Sequence, residues 1–136
     1  MSAAQNLAYS VVQVVHNFGA VAAVGGSAAA VFNPRDDSRR KLAWLAFAGW
    51  GIQGASGLAF GAISYAFYHQ LPDIAGAAVV ALLVKMACVA AGFVLIAVYL
   101  LRASGWTKTF RDLAWRASLV FAVLALAAAA VLRWFS

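Results

Sequence analysis

Charge is scarce in this sequence. Only 10% of its 136 residues are Asp, Glu, Lys or Arg and 65% are hydrophobic, whereas soluble domains carry roughly a quarter charged residues. That balance excludes a water-soluble globule. Cysteine is limited to Cys88, which excludes an intrachain disulfide; set inside an apolar run, it is expected to be a small packing residue. The two prolines, Pro34 and Pro72, fall between apolar runs rather than within them. A soluble-enzyme triad, a Walker loop and zinc-finger spacing are all missing, so no hydrolase, nucleotide-binding or nucleic-acid assignment is supported. The opening MSAAQN lacks the positive n-region of a cleavable signal peptide, so the first apolar run is expected to stay in the protein.

What is present is a set of four apolar stretches, Leu7–Phe32, Leu42–Tyr68, Ile74–Leu101 and Leu113–Phe135, each exceeding the roughly 20 residues that a helix needs to span a bilayer. Their connections are short. Asn33-Pro34 favours an end to the first helix, Pro72 cannot continue the second, and Asp73 is placed to cap the third. Short loops make successive helices antiparallel neighbours. The expected fold is therefore all-α and integral to the membrane: one domain over residues 1–136, with four transmembrane helices in an up-down-up-down bundle and the lipid bilayer as its partner.

The net charge of +6 raises nucleic acid as a partner, but a nucleic-acid surface gathers its basic residues on a solvated face. Here they flank the apolar runs. Arg35, Arg39, Arg40 and Lys41 lie between the first two stretches, and Arg102, Lys108, Arg111 and Arg116 lie between or beside the last two; the HQLPD connection at 69–73 has none. By the positive-inside rule that places both termini and His69 outside, in the periplasm of a bacterial inner membrane. Trp44, Trp106, Trp115 and Trp134 fit an interfacial aromatic belt, while Trp50 lies deeper. Gly57-x-x-x-Gly61 matches the close-packing pattern of membrane helices.

Three stretches carry a strongly polar residue at depth: His16, Gln53 and Lys85. At about 1.5 Å rise per residue, His16 lies about 13 Å and Lys85 about 16 Å below the outer ends of their stretches, so the two can share a level. Gly19, Ala20 and Ala23 lie on the His16 face, and Ala78, Ala81, Cys88 and Gly92 on the Lys85 face. Such small side chains leave room for a flat ligand, or equally permit tight helix contact. An intramembrane lysine costs several kcal/mol on insertion scales and marks function by default. Neutral imidazole is a common axial ligand of haem iron, and an apolar bundle interior suits the macrocycle. His69, at the end of the second stretch, is expected to be interfacial and too far from His16 for both rings to ligate one haem.

HNFGAVAAVGG at 16–26 resembles the first helix of CopD-type copper-resistance membrane proteins, and LLVKMACVAAGFVLIAVYLLR at 82–102 resembles their lysine-bearing third helix. HemJ-type protoporphyrinogen oxidases likewise combine a first-helix histidine with a third-helix lysine. That resemblance implies haem b at His16 and an activity-bearing Lys85. The sequence departs from HemJ after the histidine, where AVAAVGGSAAAVFNPR replaces its Trp-x-Ala-Gly-Leu and Pro-Arg-Leu features, so protoporphyrinogen oxidation is not carried over.

The function expected is a haem-b membrane protein serving electron transfer or a porphyrin or quinone redox step. In it, His16 is the metal ligand, Lys85 is the catalytic and pocket-lining group, and Gln53, Gly19 and Ala20 are cofactor neighbours. The alternatives are a non-catalytic accessory subunit packing in a larger membrane complex, and copper handling; the expected assembly is a homo-oligomer or a subunit of such a complex.

Overall fold

The structure, a computed structural model, describes residues 2–70 and 73–135; the helix break expected at Pro72 and the placement of Ser136 fall outside them. Four helices follow one another: α1 (Ala3–Phe32), α2 (Asp36–Tyr68), α3 (Ala77–Arg102) and α4 (Lys108–Phe135), with a 3-10 turn at Ala103–Gly105 before α4. Their ends have local causes. The Ser2 side chain accepts from the Gln5 N–H at 3.2 Å and caps α1 four residues ahead of the expected start. Asp36 and Asp37 occupy the first turn of α2, where the helix dipole favours negative charge. Thr107 Oγ1 accepts from the Phe110 N–H at 3.2 Å and caps α4. Asp73 is not the cap of α3. That position belongs to Gly76, whose φ of 55° turns the chain into the helix in a region open to glycine.

Helices α1 and α2 run antiparallel. Gln5 near the start of α1 donates to Tyr68 at the end of α2 at 2.6 Å, while Arg39 near the start of α2 reaches Ala30 near the end of α1. The core is one cluster of small and aromatic side chains around Trp50, Ile96, Tyr99 and Trp115. Trp115, expected at the membrane interface, is instead fully buried, edge-on to Tyr99 at 5.0 Å. Trp44 and Trp134 face outward. Cys88 is part of the core, as expected of a packing residue.

The exterior is apolar on all four helices: Phe18, Leu58, Leu83 and Leu124 are among many large hydrophobic side chains left exposed. Such a surface is stable against hydrocarbon, not water. Three helical segments, α1, Ala77–Gly105 and α4, are long and apolar enough to cross a membrane. The expected second stretch lies within α2, which is 33 residues long; its five glycines, two tryptophans and Gln53 lower its hydropathy below that of the other three.

Close approach of α1 and α2 does not use Gly57 and Gly61, around which a Cβ would meet nothing. It is made at Gly49. A Cβ there would lie 2.5 Å from the Ala23 nitrogen and 2.9 Å from the Gly19 oxygen. Gly92 on α3 gives way to the Trp50 indole, whose Nε1 donates to Ser118 Oγ at 3.4 Å. Within the chain the close crossing of α1 and α2 is thus centred on Gly49, nearer the Arg-rich end than Gly57 and Gly61.

At that Arg-rich end Arg39 is 2% exposed. Its Nε donates to the Ala30 carbonyl at 3.0 Å, satisfying an orphan acceptor at the end of α1, and its Nη1 donates to Asp112 Oδ1 at 2.5 Å. One guanidinium therefore joins α1, α2 and α4.

Candidate functional site

The buried stripe of α1 is His16, Gly19, Ala23, Gly26, Ser27 and Ala30; that of α2 is Arg39, Ala43, Ala46, Gly49, Trp50, Gln53 and Ser56. Both follow helical spacing. In each the small side chains occupy the Arg-rich half and the polar ones follow toward the middle of the helix. On α3 the same order places Lys85 just beyond Cys88. His16, Gln53, Ser56 and Lys85 consequently meet as a polar layer over the core.

The geometry within that layer is continuous. Lys85 Nζ lies 3.0 Å from His16 Nε2, and His16 Nδ1 lies 2.6 Å from Ser56 Oγ. The Ser56 hydroxyl donates to the Ile52 carbonyl at 2.5 Å. Its oxygen is left to accept, which makes Nδ1 the protonated nitrogen and leaves the Nε2 lone pair to accept from Lys85. Gln53 Nε2 donates to the His16 backbone carbonyl at 2.5 Å. Phe60 meets the imidazole edge-on at 5.6 Å. Gln53 and Ser56 therefore fix the ring, and His16 holds the lysine.

Lys85 has no carboxylate beside it. The four acidic residues of the chain are Asp36, Asp37, Asp73 and Asp112, all at helix ends or in connections, and no ion pair among the described residues includes Lys85. His16 is buried, whereas Lys85 is only partly so. The ammonium thus retains donors directed away from the ring.

The expected level shared by His16 and Lys85 is found, and Gln53 joins them through the backbone of α1. Ser56 was missed; its signal is its position three residues after Gln53, on the same helix face. Gly19 does not line a ligand space, because Ile52 fills it, with Cγ2 only 2.6 Å from where a Cβ would stand. Ala20 is half-buried beside an apolar surface cavity of about 310 Å³ between α1 and α4, away from Lys85. His69 is exposed at the end of α2, edge-on to Tyr65 at 6.3 Å, and its N–H closes the helix on the Tyr65 carbonyl at 2.8 Å.

Axial haem ligation needs an imidazole nitrogen with an open lone pair. In this arrangement Nδ1 is protonated toward Ser56, and iron at Nε2 would occupy the volume of the Lys85 ammonium. Nε2 could ligate iron only if the Lys85 side chain moved aside, while the Nδ1–H to Ser56 would stay in place. No group of three His, Cys, Asp or Glu side chains able to hold a metal ion occurs among the described residues.

Comparison of the chain with family models, with characterised proteins and with solved structures gives no match. The site is therefore defined by its own geometry: a lysine, a histidine, a serine and a glutamine from three helices, hydrogen-bonded in the bundle interior.

Proposed function

We propose that the chain is a four-span membrane protein whose Lys85–His16 pair binds a lipophilic ligand of the quinone or porphyrin class and exchanges a proton with it. The observation that carries this reading is the 3.0 Å contact between Lys85 Nζ and His16 Nε2 at a depth where no carboxylate neutralises the ammonium. A cation in hydrocarbon is stabilised by an anionic or carbonyl oxygen, which a membrane-soluble quinone or porphyrin carboxylate supplies. Lys85 binds that oxygen. His16 accepts a proton through Nε2 or returns it, with Ser56 and Gln53 holding the ring in register.

In this reading α2 is the fourth span, since it carries no charged side chain between Leu42 and Tyr68. The basic α1–α2 and α3–α4 connections face the cytoplasm, and the termini and His69 face outward, the periplasm in a bacterial inner membrane. The resemblance to CopD-type and HemJ-type proteins is in keeping with the same histidine and lysine.

Decylubiquinone and protoporphyrin IX, titrated separately into the purified protein in lipid nanodiscs, test the ligand class. The Lys85→Met variant is expected to bind the preferred ligand at least about tenfold more weakly, the effect of one charge-assisted hydrogen bond. Equal affinity of parent and variant for both compounds would remove Lys85 from the site.

A further inference from the structure

A second polar recess lies at the Arg-rich end, between α2, α3 and α4. It encloses about 290 Å³ and is lined by Arg40, Arg111, Asp36, Tyr99, Ser104 and Leu100 among others. Arg111 is anchored by Nη1, which donates to the Trp106 carbonyl at 2.6 Å. Its Nε stands 3.4 Å from Asp36 Oδ1 and its Nη2 donates to Asp36 Oδ2 at 3.5 Å, a pair that an incoming anion would have to share. Arg40 is exposed and forms no ion pair among the described residues. Tyr99 lines the recess. Arg40, Arg111, Tyr99 and Ser104 thus line one volume, and among the described lining residues Asp36 is the one carboxylate.

The surroundings select the anion. Eight Lys and Arg residues stand at this end against three aspartates, Asp36, Asp37 and Asp112. The recess lies at the junction between charged turns and apolar spans, with Leu100 in its wall and Leu101 exposed beside it. We propose that this recess binds a phosphate group, supplied by the headgroup of an anionic phospholipid whose acyl chains lie along Leu100 and Leu101. Guanidiniums pair phosphate oxygens through paired N–H donors, and basic recesses between membrane helices recognise such headgroups. Asp36 limits affinity by holding Arg111. The proposal rests on the membrane reading but not on the Lys85–His16 site.

The test measures binding of phosphatidylglycerol, phosphatidylcholine and inorganic phosphate to the purified full chain in detergent, by native mass spectrometry and by the shift in unfolding temperature. Phosphatidylglycerol is expected to bind preferentially. Arg40→Gln should weaken it about tenfold, Asp36→Asn should strengthen it, and Lys85→Met should leave it unchanged. Arg40 is exposed, so Arg40→Gln should unfold near the parent temperature without lipid, whereas Asp36→Asn, which loses a first-turn carboxylate and the pair with Arg111, should unfold a few degrees lower. Equal retention of phosphatidylglycerol and phosphatidylcholine, or an Arg40→Gln variant with parental affinity, would overturn the site. Inorganic phosphate binding as tightly as phosphatidylglycerol would overturn the lipid source. Failure of quinone and porphyrin binding would leave these results unaffected.

Discussion

Gly49→Ala is the substitution that most directly probes how the bundle is held together. A Cβ at position 49 would stand 2.5 Å from the Ala23 nitrogen, 2.9 Å from the Ala22 carbonyl carbon and 2.9 Å from the Gly19 oxygen. All three are backbone atoms of α1, and no side chain can rotate away to relieve the clash. The helices must part by about 1 Å, a gap that forfeits a quarter to a half of each dispersion contact along the crossing. Overpacking of this kind costs about 1–3 kcal/mol. One turn further along α2, the Gln53 donor would be drawn from the His16 carbonyl, which it now meets at 2.5 Å, adding about 1 kcal/mol. At about 3–4 °C per kcal/mol for a chain of this size, the unfolding temperature should fall by about 10 °C. Gly57→Ala is the control, because a Cβ there meets nothing and alanine gains up to about 1 kcal/mol of helix propensity. Thermal unfolding of both variants in one detergent decides the matter. Equal unfolding temperatures would show that α1 and α2 do not cross at Gly49.

Two further outcomes follow from the Arg-rich end. Arg39→Ala should destabilise the protein by about 2–3 kcal/mol, less than a fully buried pair would cost because Asp112 keeps Lys108 at 3.7 Å; Arg35→Ala, which breaks an exposed pair with Asp37, should change stability by less than about 0.5 kcal/mol in the same unfolding assay. Single cysteines at Lys41 and Lys108, on a Cys88→Ala background, should resist an impermeant thiol reagent in intact cells while one at His69 reacts. Labelling at 41 or 108 with none at 69 would invert the topology.

Much of the site was legible because lipid reverses the usual code. Inward faces are marked by small and polar residues and outward faces by large apolar ones, so His16 and Lys85 could be placed at a shared level from spacing alone, with Gln53 as a third polar residue at depth. Spacing could not say what each group meets. Gly19 offers open space in sequence and is closed in three dimensions by Ile52, a residue on another helix. Ser56 is a weak signal among glycines and alanines until His16 Nδ1 points at it. The two-glycine pattern at 57 and 61 fits a packing motif but falls beyond the crossing, whose position depends on the relative shift of α1 and α2. Arg39 reads as one of a basic run, and only its bonds to Ala30 and Asp112 show it to be buried. Helix starts moved for a similar reason: Ser2, Gly76 and Thr107 set them through local backbone geometry that hydropathy does not register.

The central claim is that Lys85 and His16 form one hydrogen-bonded pair, and imidazole nitrogen NMR of the protein in nanodiscs measures it directly. With histidine nitrogens and the lysine side-chain nitrogen labelled, and His69→Gln used to assign the two rings, His16 should appear as the tautomer protonated at Nδ1. Its Nε2 should accept a hydrogen bond, and that signal should move when Lys85 is replaced by Met while the His69 signal stays fixed. A His16 ring protonated at Nε2, with a spectrum indifferent to Lys85→Met, would contradict the pair and the function built on it.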